Sequence, residues 1–435
     1  MTSERACYVY IQMPRSFEVV TCGRFVLTPL PRGAGRGRFI YGQSYRSRTD
    51  AVPIDPVNLP ISTETFETTR LGGVFGALGD SAPDAWGRMV IQKVLGRSDL
   101  TEVDFLLESP EDRAGTLSFG RGKVPPAPVR EFNRVLRLAE LREVARLLEA
   151  ERPLEQIREQ VQQVMQPTTS IGGARPKNTV EDDTGLWIAK FPARTDRWNN
   201  APVEAAMLSL ASRCQIRIPE IRIERLGGES ILLLRRFDRQ KLEGGYLRHR
   251  MVSGLTLLRA EDTPTDMENW SYLLLAGEVQ RWSSRPREDK VELFRRAAFN
   301  ALISNNDDHP RNHAMVAAGP DWRLAPAYDL TPNPQHGTME RDLALAAGRF
   351  GRAARRDNLL SGAAKFGLTS DQASAIIDEI ASVVSTAWRL EVLKWGGSEQ
   401  DCEAIAPAFG YAGFDYPAEP RRSGVGPVSP PTRER

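Results

Sequence analysis

The sequence predicts an α+β protein with a small N-terminal β/α domain, a β-rich lobe and an all-helical C-terminal lobe. Three observations carry this prediction. Short β-like runs broken by Gly, Pro and Arg occupy residues 1 to about 60, and a second group of strand-like runs lies between Gly172 and Arg239. From about Glu268 onward the apolar residues recur at helical spacing. The divisions that follow are 1–123, 130–265 and 266–414, with a tail over 415–435 whose repeated Pro, Arg, Gly and Ser predict disorder. A chain of 435 residues is long enough for two or three cores of that size.

In chain order, Tyr8–Ile11, Phe17–Val20, Arg24–Leu27 and Phe39–Tyr41 read as strands of a small antiparallel sheet. Phe75–Leu95 reads as helical after a turn at Asp80–Asp84, with Ser81 as a cap, Pro83 in a first turn and Trp86 in the core. The run Val124–Val129, with its three prolines, cannot sustain a helix and marks the best boundary in the chain. Beyond it, Leu138, Leu141, Ala145 and Leu148 make an amphipathic helix from about Arg134 to Glu151, a stripe suited to packing.

Residues Thr168–Lys177 hold Ser170, Ile171, Gly172, Gly173, Ala174 and Arg175. Adjacent glycines between strands let backbone N–H groups turn toward an anion such as a phosphate, and a plain hairpin turn uses them equally well. Leu186–Phe191 is a strand whose lone lysine, Lys190, sits in apolar company, much like a lysine that pairs nucleotide phosphates. A helix follows with Asn199 or Asn200 as cap, Pro202 in its first turn and Glu204 there too. Glu204 can pair with Lys190 or simply favour the helix N-terminus, and the two are compatible. Ser230–Leu234 then leads into Arg235-Arg236-Phe237-Asp238-Arg239, a hinge between the β-rich and helical lobes.

Helices are expected over Trp270–Gln280, Glu288–Ile303 and Ser370–Leu393. In the second of these Val291, Phe294, Ala298, Ala301 and Leu302 lie near one face, so the polar loop that follows is anchored by a buried element. That loop, Asn305 to His313, contains Asp307 and Asn312 at the Asp-x-x-x-x-Asn spacing with which protein kinases set a base and a magnesium-ligating amide on one loop. Asp329, in Ala327-Tyr328-Asp329-Leu330, falls where a second metal-binding carboxylate is needed. A hydroxyl attacking a γ-phosphate needs a proton acceptor, and the developing charge needs Mg²⁺ held by oxygens. Asx-rich runs also make ordinary turns, so the loop alone leaves both readings open.

The formal charge of +2 and ordinary apolar content exclude a highly charged nucleic-acid-binding tail. Cys7, Cys22, Cys214 and Cys402 form no C-x-x-C pair, so neither a zinc site nor a disulfide framework is expected, and a reducing cytoplasm fits best. No run of eighteen apolar residues and no apolar leader after Met1 predicts a membrane span or signal peptide.

Taken in order, the glycine loop, lysine strand, Glu helix, Arg-Phe-Asp-Arg, Asn-x-Asp-x-His-x-x-Asn and Tyr-Asp resemble the HipA-type serine/threonine kinases, toxins of bacterial toxin–antitoxin modules. The resemblance spans nearly the whole chain, including Pro83-Asp84-Ala85-Trp86 in the N-terminal part. It implies a HipA-like kinase fold that uses ATP and Mg²⁺, with Ser170–Ala174, Arg175 and Lys177 at the phosphates and Ser170 as an autophosphorylation site. It also implies Lys190 on the ATP phosphates, Glu204 beside it, Arg235 and Phe237 at the nucleotide hinge, Asp307 as base, His309 supporting the loop, and Asn312 and Asp329 as magnesium ligands. Arg235 stands where an acidic or neutral residue is expected in some relatives, which bears on nucleotide selectivity. The partners implied are a HipB-like helix-turn-helix antitoxin, operator DNA mainly through that antitoxin, and an aminoacyl-tRNA synthetase such as the glutamyl enzyme as protein substrate. Two other readings use the same residues. A metal-dependent hydrolase would gather Asp307, Asp308, His309, His313 and Asp329 round a metal, with the histidines at i, i+4 spacing, but leaves Lys190 idle. A non-catalytic scaffold would have no need to keep Lys190, Asp307, Asn312 and Asp329 together.

Overall fold

Alternation of buried and exposed side chains folds the N-terminal runs into one antiparallel sheet of β1 (Arg5–Gln12), β2 (Val19–Pro29), β3 (Gly35–Tyr41), β4 (Phe66–Thr68) and β5 (Leu117–Gly120), ordered β4-β3-β2-β1-β5. The structure, a computed structural model, describes residues 5–30, 35–127, 132–150, 175–334 and 340–415. The runs expected at Phe17–Val20 and Arg24–Leu27 fall on one strand, β2, which begins at Val19 and leaves Phe17 and Glu18 in the turn before it. Val9 pairs with Gly23 and Tyr10 with Thr21, so Cys22 is the extra residue of a bulge that bends the strand without ending it. Val9, Ile11, Phe25, Phe39 and Tyr41 pack with Tyr45 of α1 (Gln43–Arg46) and Leu78 of α2 (Gly76–Asp80). At Gly37 a Cβ would lie 1.9 Å from the Gly73 carbonyl oxygen, so only glycine fits there.

The helix expected over Phe75–Leu95 is two helices, α2 and α3 (Ala85–Leu95). Pro83 lacks an N–H and disfavours helical geometry at the residue before it, which breaks the run. Ser81 therefore ends α2, and the cap of α3 is Asp84, whose carboxylate accepts from Gly87 N at 2.9 Å. α4 (Glu102–Glu108) follows behind a capping box of Thr101 and Asp104.

A second sheet, ordered β6-β7-β8-β10-β9, comprises β6 (Asn133–Arg134), β7 (Lys177–Glu181), β8 (Leu186–Lys190), β9 (Ile221–Leu226) and β10 (Glu229–Arg235). Because Asn133 and Arg134 pair as a strand, the amphipathic helix α5 begins later than expected and runs Leu138–Glu149. Its stripe of Leu138, Leu141, Ala145 and Leu148 joins Trp86 and Val90 of α3 against Val180, Trp187, Ala189, Ile231 and Leu233 on one face of the sheet. Ile188, Leu232 and Leu234 on the other face join the core containing α6 (Asn200–Arg213). The glycine loop, Ser170 to Ala174, lies outside the described residues, as does the tail from residue 416.

Beyond a hairpin of β11 (Arg239–Leu242) and β12 (Gly245–Arg248) come β13 (Arg250–Ser253), α7 (Gly254–Leu258), α8 (Tyr272–Trp282) and α9 (Pro286–Leu302). Pro286 starts α9 two residues ahead of expectation, as suits a proline at the first helical position. α10 (Arg356–Gly362), α11 (Ser370–Lys394) and α12 (Glu399–Ile405) complete the helical lobe. That lobe also carries β14 (Ala314–Ala317) and β15 (Arg323–Leu324), which extend β13 into a small sheet ordered β13-β14-β15 and pin the segment after the polar loop. Among the described residues no helix is long and apolar enough to cross a membrane.

Arg-Phe-Asp-Arg proves to be a staple as well as a connection between lobes. Asp238 is fully buried, pairs with Arg236 at 2.8 Å and Arg239 at 2.7 Å, and accepts from Gly115 N at 3.0 Å. The two arginines reach on to carbonyls of Asp112, Arg113 and Gly115 in the N-terminal part. Burial pushes the Asp238 carboxyl up, but Arg236 and Arg239 outweigh it and hold the group well below the ordinary carboxylate range. A depressed folded-state pKa contributes stability above the ordinary carboxylate value, and that contribution is lost as pH falls below it. Asp238→Asn, which leaves two buried guanidiniums short of their anion, is expected to lower unfolding stability by about 3–5 kcal/mol near neutral pH, with the deficit narrowing in acid. Urea unfolding across a pH series measures this; a deficit that stays constant into acid would contradict it.

Candidate active site

Lys190 ends β8 and is opposite Leu232 of β10, so its side chain leaves the face that looks toward α6 and the helical lobe. Its Nζ lies 2.6 Å from Glu204 Oε1 and 2.8 Å from Asp329 Oδ1. Glu204 stands in the second turn of α6 rather than the first, and Asn199 occupies the cap position without a side-chain cap bond. The carboxylate therefore serves Lys190 more directly than it serves the helix terminus. Asp329 has φ 59°, the left-handed region uncommon for residues other than glycine, and this turn aims its carboxylate across the cleft.

Charge and burial compete strongly here. Burial lowers the Lys190 pKa, but Asp329 and Glu204 outweigh it and raise the value, so the ammonium is held charged. Burial pushes Asp329 up and Lys190 pulls it down further, to about 2. Glu204 moves the other way, raised mainly by its own burial. Asp329 is thus the firm anion and Glu204 the softer one.

The polar loop follows α9, and Asp307, Asp308, His309, Asn312 and His313 divide into an outward and an inward set. Asp307 is exposed at the surface of the loop. Partial burial of its carboxyl, followed by the opposing pull of His309 and the repulsion of Asp329 and Asp308, leaves its pKa raised. Asn312 is buried; its Nδ2 donates to the Asp307 carbonyl at 3.1 Å, whereas its Oδ1 has no hydrogen-bond partner. A buried amide oxygen without a donor and a carboxylate held ionised are the kinds of oxygen a hard cation takes, so the residue types of Asn312 and Asp329 fit Mg²⁺.

The inward set anchors the loop. Asp308 is 2.7 Å from His313 Nε2 and accepts from the Tyr272 hydroxyl. Asn300 Nδ2 donates to that hydroxyl at 3.0 Å, and Asn305 Nδ2 donates to Asn300 Oδ1 at 3.0 Å. Burial raises the Asp308 pKa, but His313 and then Tyr272 more than compensate and leave it lowered. His313, which pairs with Asp308, anchors the loop, while His309 faces the cleft between the N-terminal part and the helical lobe. Pro310–Asn312 is a single 3₁₀ turn, so the two histidines do not share a helix face. Among the described residues no three His, Cys, Asp or Glu side chains gather as a metal-binding group. The separation of the two histidines removes the shared helix face on which the hydrolase reading relied.

The remaining expected residues scatter round this pair. Phe237 stacks on Tyr328, with ring centroids 5.8 Å apart, and with Ile188, Lys190 and Leu234 lines a cavity between the lobes. Arg235 also lines this cavity, while its guanidinium donates to Thr184 Oγ1 at 2.6 Å and lies over the Trp187 ring. Arg175 pairs with Asp196, and Lys177 is 2.9 Å from Asp84. Ser170, Ile171, Gly172, Gly173 and Ala174 lie outside the described residues. Sequence reasoning missed Tyr272, Asn300 and Asp84 as contacts, with only the Pro83-Asp84-Ala85-Trp86 motif hinting at the last, and it named His313 beside Asp308 as a metal ligand rather than as an anchor of the loop.

Comparison with known families returns two matches. The HipA-like C-terminal domain matches residues 169–388 and the HipA N-terminal domain matches residues 20–120. The chain belongs to the HipA family. A curated relative, "Putative kinase Y4mE" of Sinorhizobium fredii, is 24% identical over 350 residues, covering 72% of this chain and 76% of that protein. Among solved structures, HipA from the Shewanella oneidensis MR-1 complex of HipA, HipB and operator DNA superposes with a TM-score of 0.67 at 18% identity, over 92% of this chain and 94% of the other. The HipA-like fold expected from the sequence is thus the fold observed.

The anchoring network can be tested by a double-mutant cycle. Asp308→Asn and His313→Gln are expected to show a coupling of about 1–3 kcal/mol in unfolding free energy, since each removal strands the other buried group. Strictly additive effects would show that the pair does not act as a unit.

Proposed function

We propose that this chain is an ATP- and Mg²⁺-dependent serine/threonine protein kinase, the toxin of a HipA/HipB-like module. The observation that carries the reading is Lys190 Nζ between Glu204 and Asp329, at 2.6 and 2.8 Å, across the cleft from the Asp307–Asn312 loop. In this reading the acceptor hydroxyl approaches exposed Asp307, which takes its proton as the oxygen bonds to the γ-phosphorus and the bond to the ADP oxygen breaks. Lys190 donates to the nucleotide phosphates, and Phe237 with Tyr328 bounds the base. Asn312 Oδ1 and the Asp329 carboxylate would hold Mg²⁺, which when bound neutralises charge on the phosphate oxygens. Asp308, His313 and Tyr272 keep the loop in place.

The family supports a HipB-like antitoxin as partner, with operator DNA contacted mainly through it. The protein substrate is an aminoacyl-tRNA synthetase, the glutamyl enzyme being the first to test. Ser170 is proposed as an inactivating autophosphorylation site, because a phosphoserine adds about two negative charges and three acceptor oxygens that compete with the nucleotide for the same basic groups.

Incubation with γ-labelled ATP and Mg²⁺, alone and with host synthetases, tests the activity. Label is expected on a synthetase and, after prolonged incubation, on the peptide containing Ser170. Label on nothing would contradict the kinase reading and favour the scaffold. Asp307→Ala and Asp329→Ala are each expected to lower transfer ~100-fold or more with the fold retained. A near-normal rate in Asp307→Ala would mean that another group is the base.

A further inference from the structure

Lys177 and Lys190 are directly opposite one another in the antiparallel β7–β8 ladder, so both side chains leave the same face of the sheet. Opposed residues have Cβ atoms about 5 Å apart, and like charges so placed destabilise a sheet unless each has its own anion. Lys190 has Glu204 and Asp329. Lys177 has Asp84, at 2.9 Å, with the two side chains only 2% and 7% exposed. That anion belongs to neither lobe. It comes from the connector between α2 and α3, in the N-terminal part of the chain.

We infer that Asp84 is a positioning residue for the nucleotide site, holding Lys177 as a second phosphate-facing cation beside Lys190. The inference rests on the kinase reading and extends it to the N-terminal domain. Asp84 is itself fixed three ways. It caps α3 through Gly87 N at 2.9 Å, and Trp86 and Val90 of that helix pack into the core behind β8 and β10. At the other end of the connector, Asp80 accepts from Ser253 N, Ser253 Oγ and Thr256 Oγ1, each at 2.7 Å, and lies 3.7 Å from Arg311 of the polar loop. The segment Asp80–Asp84, the end of α2 with the connector that follows, thus grips both β7 and the loop carrying Asp307 and Asn312. A pair needed only for packing would be replaced at little cost by apolar side chains, whereas a lysine facing the phosphate region has a use for its charge.

The test is steady-state kinetics and direct titration of Mg²⁺–ATP on the full chain. Asparagine caps a helix as well as aspartate, so Asp84→Asn should fold while loosening Lys177. The expected result is a rise in KM and Kd for ATP of about tenfold with kcat changed much less. Lys177→Met should match it, the double variant should be no worse than either single one, and Asp84→Glu should restore part of the affinity. Glu102→Gln, which breaks an ion pair with Arg88 in the same region, should leave ATP affinity unchanged. Asp84→Asn with wild-type ATP affinity, additive effects in the double variant, or loss of stability with normal KM in the folded fraction would each overturn the inference. Should Asp84→Asn fail to fold, Lys177→Met at wild-type affinity would overturn it. If the wild-type chain neither binds ATP nor transfers label, the kinase reading has failed and takes this inference with it; an active wild type with an indifferent Asp84 sinks the inference alone.

Discussion

One buried ammonium fixes the geometry of the cleft. A lysine at the end of an apolar strand cannot stay charged inside a protein without anions in contact, because an unpaired buried charge costs far more than folding can offset. Lys190 meets that condition by drawing Glu204 from α6 and Asp329 from the loop after β15. Those anions come from opposite sides of the cleft. The contact therefore fixes how α6 sits on the β7–β10 sheet, and it gives the unusual left-handed backbone at Asp329 a reason to persist.

Around this pair the molecule separates groups that must stay put from groups that must remain available. Asp308, His313, Tyr272, Asn300 and Asn305 form a buried chain of hydrogen bonds that anchors the loop, with His313 Nδ1 left without a partner at its end. Asp307 and the Asn312 amide oxygen, one residue before that network and one residue before its histidine, are left without such partners. The rigid set positions the available set. Asp238 with Arg236 and Arg239, and the carboxylates of Asp80 and Asp84, tie this arrangement to the N-terminal part through buried charge, alongside the apolar contacts of Trp86 and Val90.

Much of this was legible in the sequence, for a physical reason. Asp307, Asn312 and Asp329 lie close together in the chain, and Lys190 and Glu204 are likewise near neighbours, so spacing alone carries their relation. The strand pattern around Lys190 and the stripe of Leu138, Leu141, Ala145 and Leu148 were readable because burial imposes a period on them. What could not be read depends on tertiary contact. Asp80 meets Ser253 across 173 residues, and nothing local to either predicts the other. Tyr272 carried no local signal, and His313, grouped with Asp308 in the sequence only as a possible metal ligand, is instead its buried hydrogen-bond partner. The errors have local causes as well. Pro83 broke a helix that apolar spacing had run together, and the Cys22 bulge let one strand cross what looked like a break. Ala314–Ala317 was too short and small-sided to announce itself as a strand.

The central claim is that Lys190, Asp329 and Asn312 form a site for a nucleotide phosphate with its magnesium ion. Calorimetric titration with a non-hydrolysable ATP analogue, with and without Mg²⁺, tests it most directly because it needs no protein substrate. The account predicts binding that strengthens markedly with Mg²⁺ in the wild type, loses its Mg²⁺ dependence in Asp329→Asn, and weakens in Lys190→Met whether or not Mg²⁺ is present. Binding that is indifferent to Mg²⁺ in the wild type, or unchanged in both variants, would contradict it.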